Sequence, residues 1–232
     1  MNKKKQRLRS NKKNTFEEKY FEGYYKVIGD FTEKRDRQLI NLFKGLFSGI
    51  NLYYPIRKGK GRKLLEYGCA TGAAASVLRD YGWKVTSTDI SKYAVSRARK
   101  NFKGINFLVQ DMEKPFKKNE FDAVVALDVI EHLPNPELGI KNSYNSLKKN
   151  GVVIFSTPND YKHVWNDPTH INIKKPAEWR EIIKRVGFRD IIIKQMTFLP
   201  LFYRIHWMLH IPLPFPSSFR YFTSPVFIIA KK

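Results

Sequence analysis

Short apolar strands alternate with helices over most of the chain, and this alternation constrains the fold more than any other feature of the sequence. The predicted strands are Lys63–Tyr67, Lys84–Thr88, Ile105–Val109, Phe121–Leu127, Val152–Ser156, Arg189–Met196 and Val226–Ala230. The predicted helices are Glu33–Phe47, Ala73–Tyr81, Ser91–Phe102 with its cap, Pro136–Lys149 and Pro176–Val186. This order predicts an α/β fold, a doubly wound sheet with helices on both faces.

Four consecutive strands end at a glycine or an acidic residue, namely Gly68, Asp89, Asp111 and Asp128. The carboxyl ends of parallel strands meet at one edge of the sheet, and ligands of such folds bind there. We therefore expect these four residues to face a single crevice.

The turn after the first strand indicates what the crevice binds. A dinucleotide-binding turn has the pattern G-x-G-x-x-G, whereas here three residues separate Gly68 from Gly72 and Ala70 takes the place of the second glycine. This spacing disfavours NAD or FAD and suits a nucleoside ligand without a phosphate. Asp89 stands where a carboxylate accepts hydrogen bonds from ribose hydroxyls. Asp111 would accept one from an adenine amino group.

Five runs in this order resemble the motifs of the class I S-adenosylmethionine-dependent methyltransferases, namely Leu64–Gly72, Val85–Ile90, Asn106–Met112, Phe121–Leu133 and Gly151–Pro158. The resemblance is greatest to the branch that includes ubiquinone-biosynthesis O-methyltransferases and small cell-envelope or sugar methyltransferases. It implies a Rossmann-like, seven-stranded sheet whose last strand, Val226–Ala230, is antiparallel. It also implies that S-adenosylmethionine is the cofactor, with Glu66 orienting its methionyl end. The full set of expected cofactor-binding residues is Glu66, Gly68, Cys69, Ala70, Gly72, Asp89, Ile90, Asp111, Met112 and Leu127.

The segment after the fourth strand carries two carboxylates and an imidazole, on Asp128, Glu131 and His132. In a helical turn, positions i, i+3 and i+4 share one face, so these groups would converge. The segment resembles an E-x-x-E-H motif that is associated with a divalent cation, with Asp128 in place of the first glutamate. Mg²⁺ prefers oxygen ligands, which makes histidine an unusual partner for it. The alternative is that Asp128 contacts the cofactor and the other two residues cap the turn.

Two histidines are candidates for a general base, because an imidazole titrates in the useful pH range. His132 is the first candidate, and His170 is the second. A purely structural, hydrogen-bonding role is the alternative for either residue. Cys69 is expected to be a small packing residue rather than a nucleophile.

The chain is strongly basic, with 43 Lys and Arg against 21 Asp and Glu and a net charge of +22. This charge favours polyanions, whether nucleic acid, acidic membrane or phosphorylated substrate. The single cysteine excludes an internal disulfide and suggests a reducing, cytoplasmic location. No stretch has the composition of a membrane span, so we expect a soluble or peripheral protein.

We divide the chain into a disordered basic arm over residues 1–15, a helical extension over 16–62 and a methyltransferase domain over 63–232. An apolar insertion over residues 198–224 separates the last two strands. We expect it mainly to cover core, the alternative being a lid or a surface that contacts anionic membrane and admits a lipid-like acceptor.

Three functions remain open from the sequence. The first is methylation, at oxygen, of a small or lipid-linked metabolite. The second is RNA methylation, which the basic arm favours, although the fourth strand is not followed by an N/D-P-P-Y/F tetrapeptide and no second cysteine is present. The third is a non-catalytic binding protein on the same fold.

Overall fold

The computed structural model describes residues 16, 18, 20, 21, 33–199, 202–219 and 224–232. The predicted basic arm lies outside the described residues. The helices are α1 (Glu33–Ile50), α2 (Ala73–Asp80), α3 (Lys92–Asn101), α4 (Pro136–Ser146) and α5 (Pro176–Val186). The strands are β1 (Lys63–Tyr67), β2 (Lys84–Asp89), β3 (Asn106–Val109), β4 (Phe121–Leu127), β5 (Leu147–Pro158), β6 (Arg189–Gln195), β7 (Thr197–Phe198), β8 (Pro212–Leu213) and β9 (Pro225–Lys231).

Seven strands form one sheet in the order β3-β2-β1-β4-β5-β9-β6. β1 to β5 pair in parallel, and β9 runs antiparallel to both of its neighbours. β7 and β8 form a separate two-stranded ribbon. The predicted doubly wound, Rossmann-like sheet with a reversed last strand is confirmed.

Helices cover both faces of this sheet. Leu64 packs into one buried cluster together with Phe47 of α1, whereas its neighbour Leu65 packs into a second cluster with Trp179 of α5. Successive residues of a strand point to opposite faces, so β1 is buried on both sides. This burial explains why the central strands are apolar without alternation.

The helix ends follow local chemistry that the sequence displays. The Ser91 hydroxyl accepts a hydrogen bond from Ala94 N at the start of α3, and the Asn135 side chain accepts one from Leu138 N at the start of α4. Gly187 ends α5 with a φ of +110°. These three boundaries agree with the prediction.

The helix predicted to reach Lys149 is too long. α4 ends at Ser146, and Leu147 already pairs with Phe121 of β4. The register then shifts before Val152 pairs with Ala123, so the turn residues between them form an irregular start of β5. Burial of Leu147 against the sheet overrides the helical propensity of this stretch.

The insertion covers core only in part. Phe198 and His210 are buried, whereas Ile205, Met208 and Ile211 are exposed. The expectation of a mainly structural insertion therefore stays a prediction, with one part of the segment buried and these three side chains exposed. Among the described residues, none of the helices combines the length and apolar composition needed to cross a bilayer. The boundaries proposed at residues 15 and 62 stay predictions.

Candidate functional site

A cavity of about 530 Å³ opens at the carboxyl ends of the central strands. Its volume is in the range of sites that bind small organic ligands. Eight of the ten residues expected to bind a cofactor line it, namely Gly68, Cys69, Ala70, Asp89, Ile90, Asp111, Met112 and Leu127. The four strand ends marked in the sequence therefore meet at one place, because Asp128 lines the cavity as well.

The turn after β1 brings main chain to the cavity wall. Gly68 and Ala70 have φ angles of +77° and +45°, in the left-handed region that favours glycine. A Cβ on Gly68 would overlap the Val129 side chain, so no larger residue fits there without movement. Gly72, with a φ of +93°, faces the Phe102 ring instead and does not line the cavity. The expected cofactor contact of Gly72 stays a prediction, and the residue shapes the turn.

Asp89 joins two walls of the cavity. Its Oδ2 accepts a hydrogen bond of 2.9 Å from Ala70 N, and its Oδ1 accepts one of 2.9 Å from Ser91 N. These bonds orient the carboxylate at the end of β2. A carboxylate oxygen can accept more than one hydrogen bond, so the group suits a ligand with two neighbouring hydroxyls.

The next wall follows β3. Asp111 Oδ1 accepts a hydrogen bond of 2.9 Å from Glu113 N, which fixes the turn after the strand. The carbonyl of Met112 accepts one of 2.9 Å from the Asn142 side chain of α4. Together these bonds hold the Asp111 carboxylate and the buried Met112 side chain at the cavity, an acceptor beside an apolar surface.

Glu66 lies behind the wall instead of in it. It is buried at the centre of β1, its carboxylate accepts a hydrogen bond from Ser87 Oγ of β2, and it does not line the cavity. Burial raises the pKa of Glu66 to about 7, against the opposing effect of the Ser87 hydrogen bond. The role that the resemblance implies, orienting the methionyl end, stays a prediction, and from this position Glu66 would exert it through the cavity wall.

Glu131, His132 and His170 form a cluster beside the cavity. One ligand atom from each lies within 4.8 Å of the others, and the two imidazole centroids are 4.9 Å apart. His132 Nδ1 lies 3.2 Å from the carbonyl of Thr169, and His170 Nδ1 lies 2.7 Å from that of Val164. A carbonyl oxygen only accepts, so each Nδ1 carries the proton and each Nε2 keeps its lone pair.

The electrostatics of this cluster favour a positive ligand. Glu131 is fully buried, and neither of its carboxylate oxygens has a hydrogen-bond partner among the described residues. Burial first, and then the charge of Asp128, raises the pKa of Glu131 well above its usual range. Burial lowers the pKa of His132 to about 4, so this imidazole is neutral at physiological pH. A buried acceptor without a donor is costly and marks a place where a ligand would supply one.

Asp128 does not belong to the cluster, although the predicted metal set included it. Its φ of +52° places it outside helical geometry, and only Ile130–His132 form a 3₁₀ turn. Its Oδ1 accepts a hydrogen bond of 2.9 Å from Ser156 Oγ of β5. The i, i+3, i+4 argument therefore fails at its first position, and His170 takes the place expected of Asp128.

Asp167 stands next to His170, with 3.9 Å between Asp167 Oδ2 and His170 Nε2. Burial opposes ionisation of this carboxyl, but hydrogen bonds from the Thr169 hydroxyl and backbone N–H lower the pKa of Asp167 overall. An ionised carboxylate beside an imidazole stabilises its protonated form. The sequence analysis did not select Asp167.

The remaining wall is apolar and comes from the N-terminal part of the chain. The Phe16 ring lies edge-on to His132, with 5.6 Å between centroids. Further lining side chains are Tyr20, Phe21, Leu39, Leu42, Phe43 and Leu46. The helical spacing of the leucines and Phe43 was visible in the sequence, but it was interpreted only as packing.

A reversed last strand, a glycine turn after β1 and acidic residues after β2 and β3 define a Rossmann-like α/β domain with a cavity at its strand ends. The chain belongs to the methyltransferase domain family, whose model matches residues 32–192. The resemblance seen in the sequence is thereby confirmed.

Named relatives agree with this assignment. The ubiquinone biosynthesis O-methyltransferase of Rickettsia typhi is 34% identical over 156 residues, covering 59% of this chain and 63% of that protein. The protein of the same name from Coxiella burnetii is 32% identical over 105 residues, covering 43% and 45%. The chain thus spans about half the length of such relatives. The magnesium protoporphyrin IX methyltransferase of Synechocystis, solved with S-adenosylmethionine, shares the fold with a TM-score of 0.65 at 18% identity, covering 99% of this chain and 97% of that one.

Proposed function

We propose that the protein transfers a methyl group from S-adenosylmethionine to a hydroxyl oxygen of a small or lipid-linked metabolite. The observation that carries the proposal is the pair Asp89 and Asp111 at one cavity with the glycine turn of Gly68. This arrangement supports a ribose on Asp89 and an adenine beside Asp111 and Met112. The cofactor supplies an activated methyl group on a sulfonium, so the protein's task is to bind and align the two reactants.

A hydroxyl acceptor must lose its proton, and His170 is the better base of the two candidates. Asp167 lies 3.9 Å from His170 Nε2 and would stabilise the imidazolium that forms. The pKa of His132 is about 4, which makes this imidazole a weak base. We therefore propose that His170 accepts the proton at Nε2 and that His132 positions the acceptor.

As an alternative to this base, Glu131, His132 and His170 would together hold a divalent cation, because the one lone pair of His170 Nε2 either accepts a proton or binds the cation. Two imidazoles, each oriented by a backbone carbonyl, and one carboxylate suit Zn²⁺, Mn²⁺ or Fe²⁺ better than Mg²⁺. The donor set fits because no residue that the structure describes donates a hydrogen bond to the buried carboxylate of Glu131. A cation bound there would favour the deprotonated form of an acceptor hydroxyl.

The apolar wall supports the choice of acceptor. Aromatic and aliphatic side chains, among them Phe16, Leu42 and Phe43, line the cavity, which suits an acceptor with a ring or chain. The names of the Rickettsia and Coxiella relatives support oxygen as the methylated atom. The net charge of +22 supports peripheral contact with an anionic membrane if the acceptor is lipid-linked. The buried, lone Cys69 supports a reducing compartment such as the cytoplasm.

Calorimetric titration with S-adenosylmethionine tests the proposal. We expect binding by the full chain, and Asp89→Ala should weaken it by about 2 kcal/mol, because charge-assisted hydrogen bonds to the ribose are lost. Asp80→Ala is the matched control, since Asp80 is an exposed carboxylate at the end of α2. Equal affinity of the folded Asp89→Ala protein and the wild type would refute the ribose site. Transfer of labelled methyl groups to metabolites of a cell extract then identifies the acceptor.

A further inference from the structure

The described part of the insertion presents an apolar surface to solvent. We define the insertion face as Ile205, Met208, Leu209, Ile211 and Phe215, whose exposed fractions lie between 41% and 73%. Clusters of exposed large apolar side chains mark interaction sites more often than single ones do. The proposed methyl transfer makes no use of this face.

The segment that carries the insertion face is anchored to the domain. The His210 imidazole is buried and stacks on Phe198, with 4.8 Å between ring centroids. It also lies against Gly45 of α1, where any side chain larger than glycine would overlap the imidazole. The short turns Phe202–Arg204 and Trp207–Leu209 both pack on α1. The apolar side chains are therefore held outward from a fixed base.

A basic loop borders the same segment. The Arg57 guanidinium lies over the Trp207 ring at 5.3 Å, which places the loop of residues 57–62 beside the insertion. Lys58 and Lys60 of this loop are exposed, as is Arg204 of the insertion. Neither residues 57–62 nor residues 202–219 include an acidic side chain. The exposed apolar side chains and the exposed cationic side chains thus belong to two segments that contact each other through Arg57 and Trp207.

We propose that the insertion face and the basic loop together dock the protein on an anionic phospholipid bilayer. Apolar side chains enter the boundary between headgroups and acyl chains, while lysine and arginine interact with anionic headgroups. A second copy of the chain is a poorer occupant, because two molecules of charge +22 repel each other. RNA would gain little from exposed isoleucine and methionine.

The surface also adjoins the cavity, since Tyr203 of the insertion lines it. Docking would then bring the cavity close to the bilayer and admit a lipid-linked acceptor. This last step rests on the proposed function, whereas the docking itself does not.

Sedimentation with vesicles tests the docking. The full chain is mixed with vesicles of phosphatidylcholine that contain about one quarter phosphatidylglycerol, and with vesicles of phosphatidylcholine alone. We expect binding to the anionic vesicles that weakens as salt is raised. The variant Met208→Glu/Ile211→Glu should bind at least about tenfold more weakly than the wild type.

The control is Val109→Glu/Leu138→Glu, which makes the same chemical change at exposed positions elsewhere. Val109 ends the edge strand β3 and is 47% exposed, against 48% for Ile211. Both variants have the same net charge and keep the N-terminal residues, so a nonspecific charge effect would weaken them equally. That equal weakening, or a wild type that ignores anionic vesicles, would overturn the proposal. Thermal unfolding of all three proteins excludes loss of fold.

The outcome is independent of the methyl-transfer proposal, because the assay contains neither cofactor nor acceptor. Failure to sediment would remove the docking surface and leave cofactor binding to be judged by calorimetry. The wild type could also self-associate in a concentration-dependent way, and Met208→Glu/Ile211→Glu could lose this self-association. That result would assign the face to a second copy and overturn the membrane assignment.

Discussion

Glu66 offers the sharpest test of how the site is built, because its carboxyl group is buried with a single side-chain hydrogen-bond donor, Ser87 Oγ. Burial raises the pKa of Glu66 from 4.5 to about 7. The difference corresponds to about 3 kcal/mol of folding free energy. The folded protein holds this proton more tightly than the unfolded chain does. The stabilisation is therefore complete below pH 4.5 and is lost as the pH rises to about 7.

The variant Glu66→Gln removes the titration and keeps an oxygen that can accept the Ser87 hydrogen bond. We compare the free energy of unfolding of Glu66→Gln with that of the wild type at each pH. The variant's value minus the wild-type value should be about 3 kcal/mol larger at about pH 8 than at about pH 4. Urea unfolding at both pH values measures this difference. Glu181→Gln, an exposed change on α5, should give the same difference from wild type at both.

A Glu66→Gln effect that does not vary with pH would refute the burial argument. The same protein also reports on the cofactor. Because the carboxylate lies behind the cavity wall, we expect the affinity for S-adenosylmethionine to stay within about twofold of wild type. A loss of about tenfold or more would show that Glu66 contacts the cofactor directly, as the resemblance implied.

Two further predictions concern histidines. Burial lowers the pKa of His210 to about 4, so the stabilisation from its neutral form is present above pH 6.5 and is lost as the pH falls towards 4. As the pH falls from 6.5 towards 4, His210→Phe should lose about 3 kcal/mol less free energy of unfolding than the wild type does, as measured by urea unfolding. An equal loss in both proteins would contradict this. His170→Asn should slow methyl transfer with little change in cofactor affinity. In a separate test, Zn²⁺ or Mn²⁺ should raise the unfolding temperature of the metal-stripped wild type but not that of Glu131→Gln. Equal metal responses would remove the cation from the proposal.

The sheet could be predicted from sequence because its strands are buried on both faces and its turns carry strong local signals. The side chains of Ser91 and Asn135 each accept a hydrogen bond at the start of a helix, and Gly187 ends one. These helix boundaries can therefore be predicted without tertiary information. The start of β5 was missed because Leu147 leaves the helix only to pair with Phe121, a contact with a residue 26 positions earlier.

Only part of the candidate site could be predicted from the sequence. Strand ends meet wherever parallel strands do, so Asp89 and Asp111 could be placed without coordinates. The left-handed backbone of Asp128 has no signature in an aspartate, and it removes that carboxylate from the cluster. The partnership of His132 with His170, and the wall that includes Phe16, depend on tertiary packing and were not readable.

The charged groups of the cavity are acidic, whereas those of the proposed docking surface are basic. This difference distinguishes the two proposed ligands. Acidic groups, among them Asp89, Asp111 and Asp128, line a cavity inside a chain whose net charge is +22. A sulfonium cofactor is cationic, and we propose that it binds beside these carboxylates, of which Asp89 is buried; salt screens interactions inside a cavity weakly. A bilayer is met by exposed lysines and arginines, whose attraction salt screens within about 8 Å at physiological ionic strength. Raising the salt concentration should therefore release the protein from anionic vesicles while leaving its affinity for S-adenosylmethionine nearly unchanged. Parallel loss of both would mean that the basic surface, and not the acidic cavity, binds the cofactor.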